Sequence, residues 1–404
     1  MVDCLDLIAQ RSHHIEPTLS KNELSESRHP KTRHPKPLAR DTEAALCLNL
    51  VSGIGPIVYA DLIEAFGSPA QVLDAEPAKL REVPGVGSKL VHAIATAKET
   101  VNVEAQLEIC HQNKIEILER GGPQYPQRLT EIYDPPSILF SQGTILPADN
   151  IAVAIVGSRH ATNYGTKTAE RLARELSMAG ITIVSGLARG IDAAAHRGAL
   201  EAGGRTIAVL GGGLLKMYPP EHADLAKEIR NQGAVVTESL PESSPKSGSF
   251  PRRNRIVTGL SLGVIVVEAA QRSGALISAR LAMEQGREVF AVPGRVDSRM
   301  SRGCHQLLRD GAKLVESIDD VLEELGPMAT PTQVDGETVI RRPAELKLTD
   351  QESLVLNAIS SEATEFDVIL EKTGLPPSRV LSTISVLEIR RLVRRISGTS
   401  LARI

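Results

Sequence analysis

One cluster of side chains, GSFPRRNRIVTG at positions 248–259, stands out for its chemistry. It combines a phenylalanine with three arginines and an asparagine, and no acidic residue occurs between Glu242 and Glu268. A guanidinium group can pair with phosphate through two N–H donors, and an aromatic ring can stack on a nucleobase. Arginines alone would also suit a nucleotide or a phosphosugar. The added ring favours a polymer of alternating phosphates and bases, and the alternative role for Phe250 is that of a core anchor.

A second candidate site follows the apolar run 151–156. Gly157, Ser158 and Arg159 precede a predicted helix that begins near Tyr164. Glycine lets the backbone approach an anion, the helix N-terminus attracts negative charge, and arginine can pair with phosphate. The segment lacks the G-x-G-x-x-G pattern and no acid follows the second strand, so a dinucleotide site is disfavoured.

The segment SGLARGIDAAAH at 185–196 follows the second apolar run. It places Ser185 and Gly186 at the strand end, Arg189 beyond them, and Asp192 and His196 on the next helix. A helix cap and a packed histidine explain the last two residues, and a catalytic Asp–His pair is the alternative. Because no nucleophile accompanies the pair, the sequence identifies no catalytic residue, and it identifies no metal site or cofactor.

Composition limits the class of protein. A chain of 404 residues predicts several domains, and a net charge of −3 means that nucleic-acid contact must come from a local basic patch. The four cysteines are far apart without a C-x-x-C motif, which suits reduced thiols. The N-terminal residues carry acids where a secretion signal carries bases, and no apolar run approaches a membrane span. We therefore expect a cytoplasmic protein without membrane contact.

The elements that must position these residues alternate between short apolar runs and helical stretches. Seven strands are predicted, at 151–156, 181–184, 206–210, 234–237, 262–267, 288–292 and 312–315. This alternation predicts an α/β fold with a Rossmann-like, doubly wound parallel sheet, whose ligands bind beyond the carboxyl ends of the strands. The arginine cluster is expected on a Pro/Ser-rich loop after the fourth strand.

Flanking segments complete the predicted organisation. Residues 1–42 read as a disordered basic arm, and residues 43–105 repeat a G-x-G element typical of helix-hairpin-helix (SAM-like) domains. Residues 106–325 hold the Rossmann-like domain, with its sheet core at 151–325 and an irregular connector at 121–147. A linker at 326–346 leads to a winged-helix-like domain at 347–404. Its two helices meet at Thr373–Gly374, and five arginines follow its last acid, which leaves DNA binding and partner binding open: Arg390, Arg391, Arg394, Arg395 and Arg403.

The ordered motifs VGSR, SGLARGIDAAAH, TIAVLGGGL, FPRRNRIVTGLS, VVEAAQRSGALISA and GREVFAVPG closely resemble the DNA-processing protein A (DprA, also called Smf) family. The resemblance covers about 105–325 strongly. It implies a non-enzymatic, cytoplasmic protein that binds and protects single-stranded DNA in natural transformation, loads the recombinase RecA and works as a homodimer. The DNA-contacting positions that it implies are Gly157, Ser158, Arg159, Ser185, Gly186, Phe250, Arg253 and Asn254, with Arg189, Lys246, Arg252 and Arg255 as further candidates.

The sequence also admits two rival functions. Phosphoribohydrolases of the lysine-decarboxylase-like group use a PGGxGT loop, and the corresponding segment here, AAQRSGALIS, lacks its glycine pair. A sequence-specific regulator that reads DNA through the C-terminal module would leave the cluster at 248–259 without a role.

Overall fold

The computed structural model describes residues 40–325, 332–334, 338–340, 348–389, 392–396 and 400–403. Residues 1–39 of the predicted basic arm lie outside the described residues, as does most of the predicted linker. The remainder of the arm, 40–42, belongs to the first helix.

The N-terminal region is helical, and both G-x-G elements form turns between helices. Gly53 and Gly85 have φ values of +101° and +78°, a conformation that side chains with a Cβ rarely adopt. The predicted helix-hairpin-helix repeat is therefore confirmed. The helices are α1 (Arg40–Leu50), α2 (Pro56–Phe66), α3 (Pro69–Leu73), α4 (Pro77–Leu80), α5 (Ser88–Ala95), α6 (Ala97–Thr100) and α7 (Val103–Gln112).

A nine-stranded sheet forms the centre of the protein, in the order β1-β2-β6-β5-β4-β3-β7-β8-β9. All seven predicted strands are present, and they pair in parallel. The strands are β1 (Glu116–Glu119), β2 (Ile138–Gly143), β3 (Ala152–Val156), β4 (Thr182–Ser185), β5 (Thr206–Val209), β6 (Gly233–Thr237), β7 (Gly263–Val266), β8 (Glu288–Ala291) and β9 (Lys313–Leu314).

The prediction of an irregular connector at 121–147 is wrong for the second half of that segment. Strand β2 occupies it, pairs antiparallel with β6 on one side and with β1 on the other, and so extends the sheet before residue 151. Its residues Ile138, Leu139 and Phe140 are consecutive and fully buried. A strand that is covered on both faces shows no alternation of apolar and polar residues. The prolines just before β2 also suggest irregular structure, so the sequence pattern did not indicate this short strand.

Helices cover both faces of the sheet. Val153 and Ile155 of β3 pack with α8, α9 and α14, whereas Ala154 and Val156 face α11, α12 and α13. This is the doubly wound arrangement that the sequence predicted. The helices are α8 (Asn163–Met178), α9 (Ile191–Glu201), α10 (Ala223–Gln232), α11 (Ser249–Gly259), α12 (Gly274–Glu284), α13 (Arg302–Arg309) and α14 (Ile318–Leu325).

The strand order places a crevice at the carboxyl end of β3. From β3 the chain adds strands β4, β5 and β6 on one side, and later β7, β8 and β9 on the other. At such a switch point the loops that follow neighbouring strands diverge to opposite faces and leave an opening between them. The loops after β3, β4 and β7 meet here.

The C-terminal residues form a winged helix, in agreement with the predicted fold class. Gly374 ends α16 in the left-handed conformation at φ +63°, as expected for the turn before the third helix. The helices are α15 (Asp350–Ala358), α16 (Phe366–Thr373) and α17 (Pro377–Ile389), and the small sheet holds β12 (Thr364–Glu365), β13 (Val393–Arg395) and β14 (Ser400–Arg403). A separate hairpin, β10 (Thr332–Val334) and β11 (Thr338–Ile340), lies within the predicted linker.

Within the described residues, no helix combines the length and the apolar character that a bilayer crossing requires.

Candidate nucleic-acid interface

An open cleft of about 560 Å³ lies at the carboxyl edge of the sheet. It brings together seven of the twelve predicted contact residues: Gly157, Ser158, Arg159, Gly186, Phe250, Arg253 and Asn254. The other five do not line it: Ser185, Arg189, Lys246, Arg252 and Arg255. The opposite wall comes from the start of α12 and from Met300, which follows β8.

The arginine cluster is helical, so its predicted placement on a loop is wrong. Helix α11 begins at Ser249, whose side-chain oxygen donates to Lys246 O at 2.6 Å, and Pro251 lies in the first turn, where proline is tolerated. Arg253, Ile256, Val257 and Leu260 form its buried face at helical spacing. A charged residue at one of these positions interrupted the apolar period and hid the helix from the sequence analysis.

Arg253 is a buried cation under the cleft. Only 5% of the residue is exposed, and its Nη1 donates to the backbone oxygen of Val209. Gly186 packs so closely against the guanidinium that a Cβ there would lie 2.0 Å from Nη1. Burial lowers the pKa of Arg253 to about 10, while the nearby Asp192 carboxylate opposes this shift. The side chain is therefore charged at neutral pH and joins α11 to the ends of β4 and β5.

Asp192 and His196 do not form a pair. The Asp192 carboxylate accepts the backbone N–H groups of Gly186 at 3.2 Å and Ala188 at 3.3 Å. His196 Nδ1 lies 2.7 Å from Thr206 Oγ1, and the residue is fully buried. The geometry favours structural roles, with Asp192 capping backbone N–H groups and His196 packed in the core, and gives no support to a catalytic Asp–His pair.

Three predicted cations carry counterions within the protein. Arg252 and Arg255 both bind Glu238, and Arg255 also lies 3.1 Å from Asp134. Arg189 pairs with Glu221 at 2.5 Å. Glu238 precedes the acid-free stretch in the sequence and Asp134 lies far upstream, so the cluster is less basic in the fold than in the sequence. Burial raises the pKa of Glu238, and its two arginine partners oppose that shift.

Two predicted anion contacts are occupied by the protein itself. Ser185 is fully buried, and its hydroxyl donates to Ile155 O at 2.6 Å. At the start of α8, the buried Glu268 carboxylate accepts the backbone N–H of Thr162 at 2.9 Å and its hydroxyl at 2.5 Å. A carboxylate at a helix N-terminus satisfies the helix dipole. The predicted phosphate site at this helix start is therefore filled by Glu268.

Arg159 and Phe250 form the accessible part of the site. Arg159 is exposed, has no ion pair among the described contacts, and its Cζ lies 5.3 Å from the centre of the Phe250 ring. The ring is partly exposed and packs over Gly211, where a Cβ would come within 3.0 Å of Phe250 Cδ1. The glycine-rich loop after β5 thus allows Phe250 to sit at the cleft.

Tyr218 is an aromatic residue beside the site that the sequence did not point to. Its ring centre lies 5.8 Å from that of Phe250 at an angle of 56°, and 43% of the residue is exposed. A signal was present, because an aromatic residue followed a strand end in a chain with only 2% aromatic residues. Tyr218 does not line the cleft itself; it lines a small neighbouring pocket together with Arg159, Arg189 and Phe250, so the Phe250 ring has a second aromatic ring beside it.

The winged helix presents a weakly basic face on α17. Ser378, Leu381, Ser382 and Ser385 are exposed there, with Arg379 as their basic neighbour. Arg394 and Arg395 lie on β13 and Arg403 on β14, while Arg390 and Arg391 lie outside the described residues. Apart from Arg379 near the start of α17, the described arginines of this module thus lie on its small sheet and not on the helix that reads DNA in many winged-helix proteins.

The buried His196 predicts a pH-dependent stability. Burial, reinforced by the nearby His222 and Arg253, lowers the pKa of His196 to about 3 from an ordinary value of 6.5. Between these values the unfolded chain binds a proton that the folded chain excludes, so stability falls as the pH falls through this window and is fully present above it. Urea unfolding at pH 5 and pH 7 should show about 2 kcal/mol less stability at pH 5 from this residue.

The His196→Asn variant should lose that part of the pH dependence, whereas a substitution of the exposed His160 to Asn should retain it. Equal pH dependence in wild type and His196→Asn would contradict the assignment.

Comparison with known proteins identifies the family. The family model described as DNA recombination-mediator protein A matches residues 116–326, the DprA winged helix domain matches 340–399, and a SAM-like helix-hairpin-helix tandem matches 48–97. Protein Smf from Synechocystis is 33% identical over 383 residues, which is 87% of this chain and 96% of that protein. DNA processing protein DprA from Streptococcus pneumoniae is 48% identical over 200 residues, which is 50% of this chain and 71% of that protein.

The crystal structure of DprA from Streptococcus pneumoniae superimposes with a TM-score of 0.62 at 37% identity, and covers 70% of this chain and 97% of the solved one. The resemblance predicted from the sequence motifs is thereby confirmed. Since the family model spans just over half of the residues and the Smf relative nearly the whole length, the chain belongs to the DprA/Smf family of DNA-processing proteins.

Proposed function

We propose that this protein binds single-stranded DNA, without sequence preference, in the cleft at the carboxyl edge of the sheet. The observation that carries the proposal is the pairing of Arg159 with Phe250. An exposed guanidinium, which forms no ion pair with the acids that the structure describes, lies beside a partly exposed aromatic ring at the switch point of a doubly wound sheet. Arg159 supplies a phosphate contact, and Phe250 supplies a stacking surface for a base.

A single strand fits this site better than a duplex does. Stacking on a side chain requires a base whose face is free, and duplex bases already stack on one another. Stacking is indifferent to base identity, so the proposed recognition is sequence-independent. Gly157, Ser158 and Asn254 line the cleft, and we propose that they contact the backbone of the strand.

Several predicted contact residues take positioning roles in this proposal. Arg253 connects the buried side of α11 to the backbone of Val209, and the lack of a side chain at Gly186 leaves space for the Arg253 guanidinium. Arg252 and Arg255 attach α11 to Glu238, while Arg189 stacks on Tyr218 with its Cζ 5.8 Å from the ring centre. Lys246 is exposed just before α11 begins, and we propose that it makes an additional phosphate contact.

A nucleotide-cleaving enzyme is the alternative. The residues that could serve such chemistry are each engaged with other groups: the Asp192 carboxylate accepts two backbone N–H groups, and His196 is buried against Thr206 and does not line the cleft. The cleft therefore supports binding without hydrolysis, and we propose a non-enzymatic role in the processing of DNA during transformation and recombination.

The charge contact can be tested by salt titration. We expect fluorescent oligo-dT to bind with log K falling against log salt by about 0.7 for each phosphate engaged. The Arg159→Ala variant should make that slope shallower by about 0.7, because one phosphate contact is lost. The matched control Arg280→Ala removes an exposed arginine that does not line the cleft, and should leave the slope unchanged.

Duplex DNA and AMP serve as competitors in the same titration and should compete poorly. Preferential binding of AMP would favour the nucleotide enzyme, and an unaltered slope for Arg159→Ala would refute the phosphate contact.

The stacking contact can be tested separately. Phe250→Ala should weaken oligo-dT binding roughly tenfold or more, because the stacking of one base contributes about 1–3 kcal/mol. Phe250→Leu keeps apolar packing over Gly211 but lacks the aromatic face, and should be similarly weakened. Wild-type affinity for Phe250→Leu, measured by fluorescence anisotropy, would show that Phe250 is a core anchor and not a stacking platform.

Loading of the recombinase RecA onto the bound strand and assembly as a homodimer are proposed on the strength of family membership. We expect the purified protein to retain RecA in a pull-down, to elute as a dimer in light-scattering chromatography, and to accelerate RecA strand exchange on coated DNA. A monomer that leaves strand exchange unchanged would contradict both.

A further inference from the structure

Three exposed arginines lie within two residues, along the chain, of residues that line the cleft. They lie in two segments, the loop 269–273 after β7 and residues 298–303 after β8, where Arg302 begins α13; Ala270 and Met300 of these segments line the cleft itself. We call Arg272, Arg299 and Arg302 the arginine rim. None of them belongs to the cluster at 248–259 that the sequence singled out.

Backbone hydrogen bonds join the two segments. The backbone N–H of Ala269 donates to Met300 O at 2.8 Å, and that of Gly303 donates to Ala269 O at 2.8 Å. Gly303 packs so closely that a Cβ would lie 2.6 Å from Ala269 O. Met300 in turn contacts Ser158, with 3.8 Å between its Sδ and the serine Oγ. The rim is therefore attached to the wall that carries Arg159.

The rim differs from the arginine cluster in its counterions. Among the described residues, no ion pair or side-chain hydrogen bond joins an acid to any of its three guanidinium groups, whereas Arg252 and Arg255 share Glu238. Arg295 lies in the preceding residues and pairs with Asp297 at 2.8 Å. Glu268, next to the first loop in sequence, is buried and bound to Thr162. The rim thus presents uncompensated positive charge on a protein whose net charge is −3.

We propose that the arginine rim binds the phosphates of a single strand as it leaves the cleft, so that the binding site continues across the end of β7 to the end of β8. This proposal rests on the proposed function and adds to it the path that the strand follows beyond the cleft. Like charges held together repel, and an anionic polymer that neutralises them gains affinity through counterion release. A strand too short to reach the rim would use the cleft alone.

Oligonucleotide length separates the rim from the cleft. The triple variant Arg272→Gln, Arg299→Gln, Arg302→Gln should bind a short oligo-dT of about 4 nucleotides like wild type, since such a strand occupies only the cleft. With a longer oligo-dT of about 16 nucleotides, its salt slope should be shallower by about 2, which corresponds to three lost phosphate contacts. Its affinity for the long strand at low salt should fall at least tenfold.

Two matched triple variants complete the experiment. Gln substitutions at the exposed Arg197 and Arg280 and at the half-buried Arg174, which pairs with Glu201, should leave the binding of both oligonucleotides unchanged, because none of the three lines the cleft. Lys substitutions at the three rim positions should restore most of the salt slope, because the charge is kept.

The experiment distinguishes failure of the arginine rim from failure of the proposed function. If wild type binds neither oligonucleotide, the proposed function itself fails. If wild type binds both and the rim variant matches it on the long strand, the rim is refuted while the cleft stands. Equal weakening on short and long strands would also refute the rim as a separate contact, since it would then act only through the cleft. Thermal melting of every variant verifies that the fold is retained.

Discussion

The cleft depends on one buried guanidinium. Arg253 reaches from α11 to the backbone oxygen of Val209 at the end of β5, beside Gly186 at the end of β4 and the Asp192 carboxylate. A buried charge is tolerated only when polar partners surround it, so these groups specify a single position for the helix. Because Phe250 lies one turn before Arg253 on that helix, the same interaction places the aromatic ring at the cleft.

Internal counterions divide the arginines into two groups. Those that pair with buried or neighbouring acids, such as Arg252, Arg255 and Arg189, attach helices and loops to the sheet. Arg159 and the arginine rim, for which the described part of the chain supplies no such partner, are exposed. The second group is the one that an anionic polymer can neutralise without breaking an existing pair. The electrostatic character of the site is therefore set by where the acids fold and not by the local density of arginine in the sequence.

Prediction from the sequence succeeded where pattern and local structure agree. The seven parallel strands, the paired glycine turns and the turn at Gly374 were each found as expected, because apolar runs and glycine positions report directly on strands and turns. Strand β2 and helix α11 were not found. Both carry residues that break the expected pattern, prolines beside β2 and a buried arginine within α11, and tertiary contacts determine their structure.

The sequence by itself determined the family, the doubly wound sheet and the strand ends at which a ligand would bind, because these follow from the order of apolar runs and motifs along the chain. Only the tertiary structure decided which charges remain available. Pairing depends on distances between residues far apart in the chain, as between Arg255 and Asp134, and burial on what packs above each side chain. Neither quantity is encoded in the local pattern from which the site was first predicted.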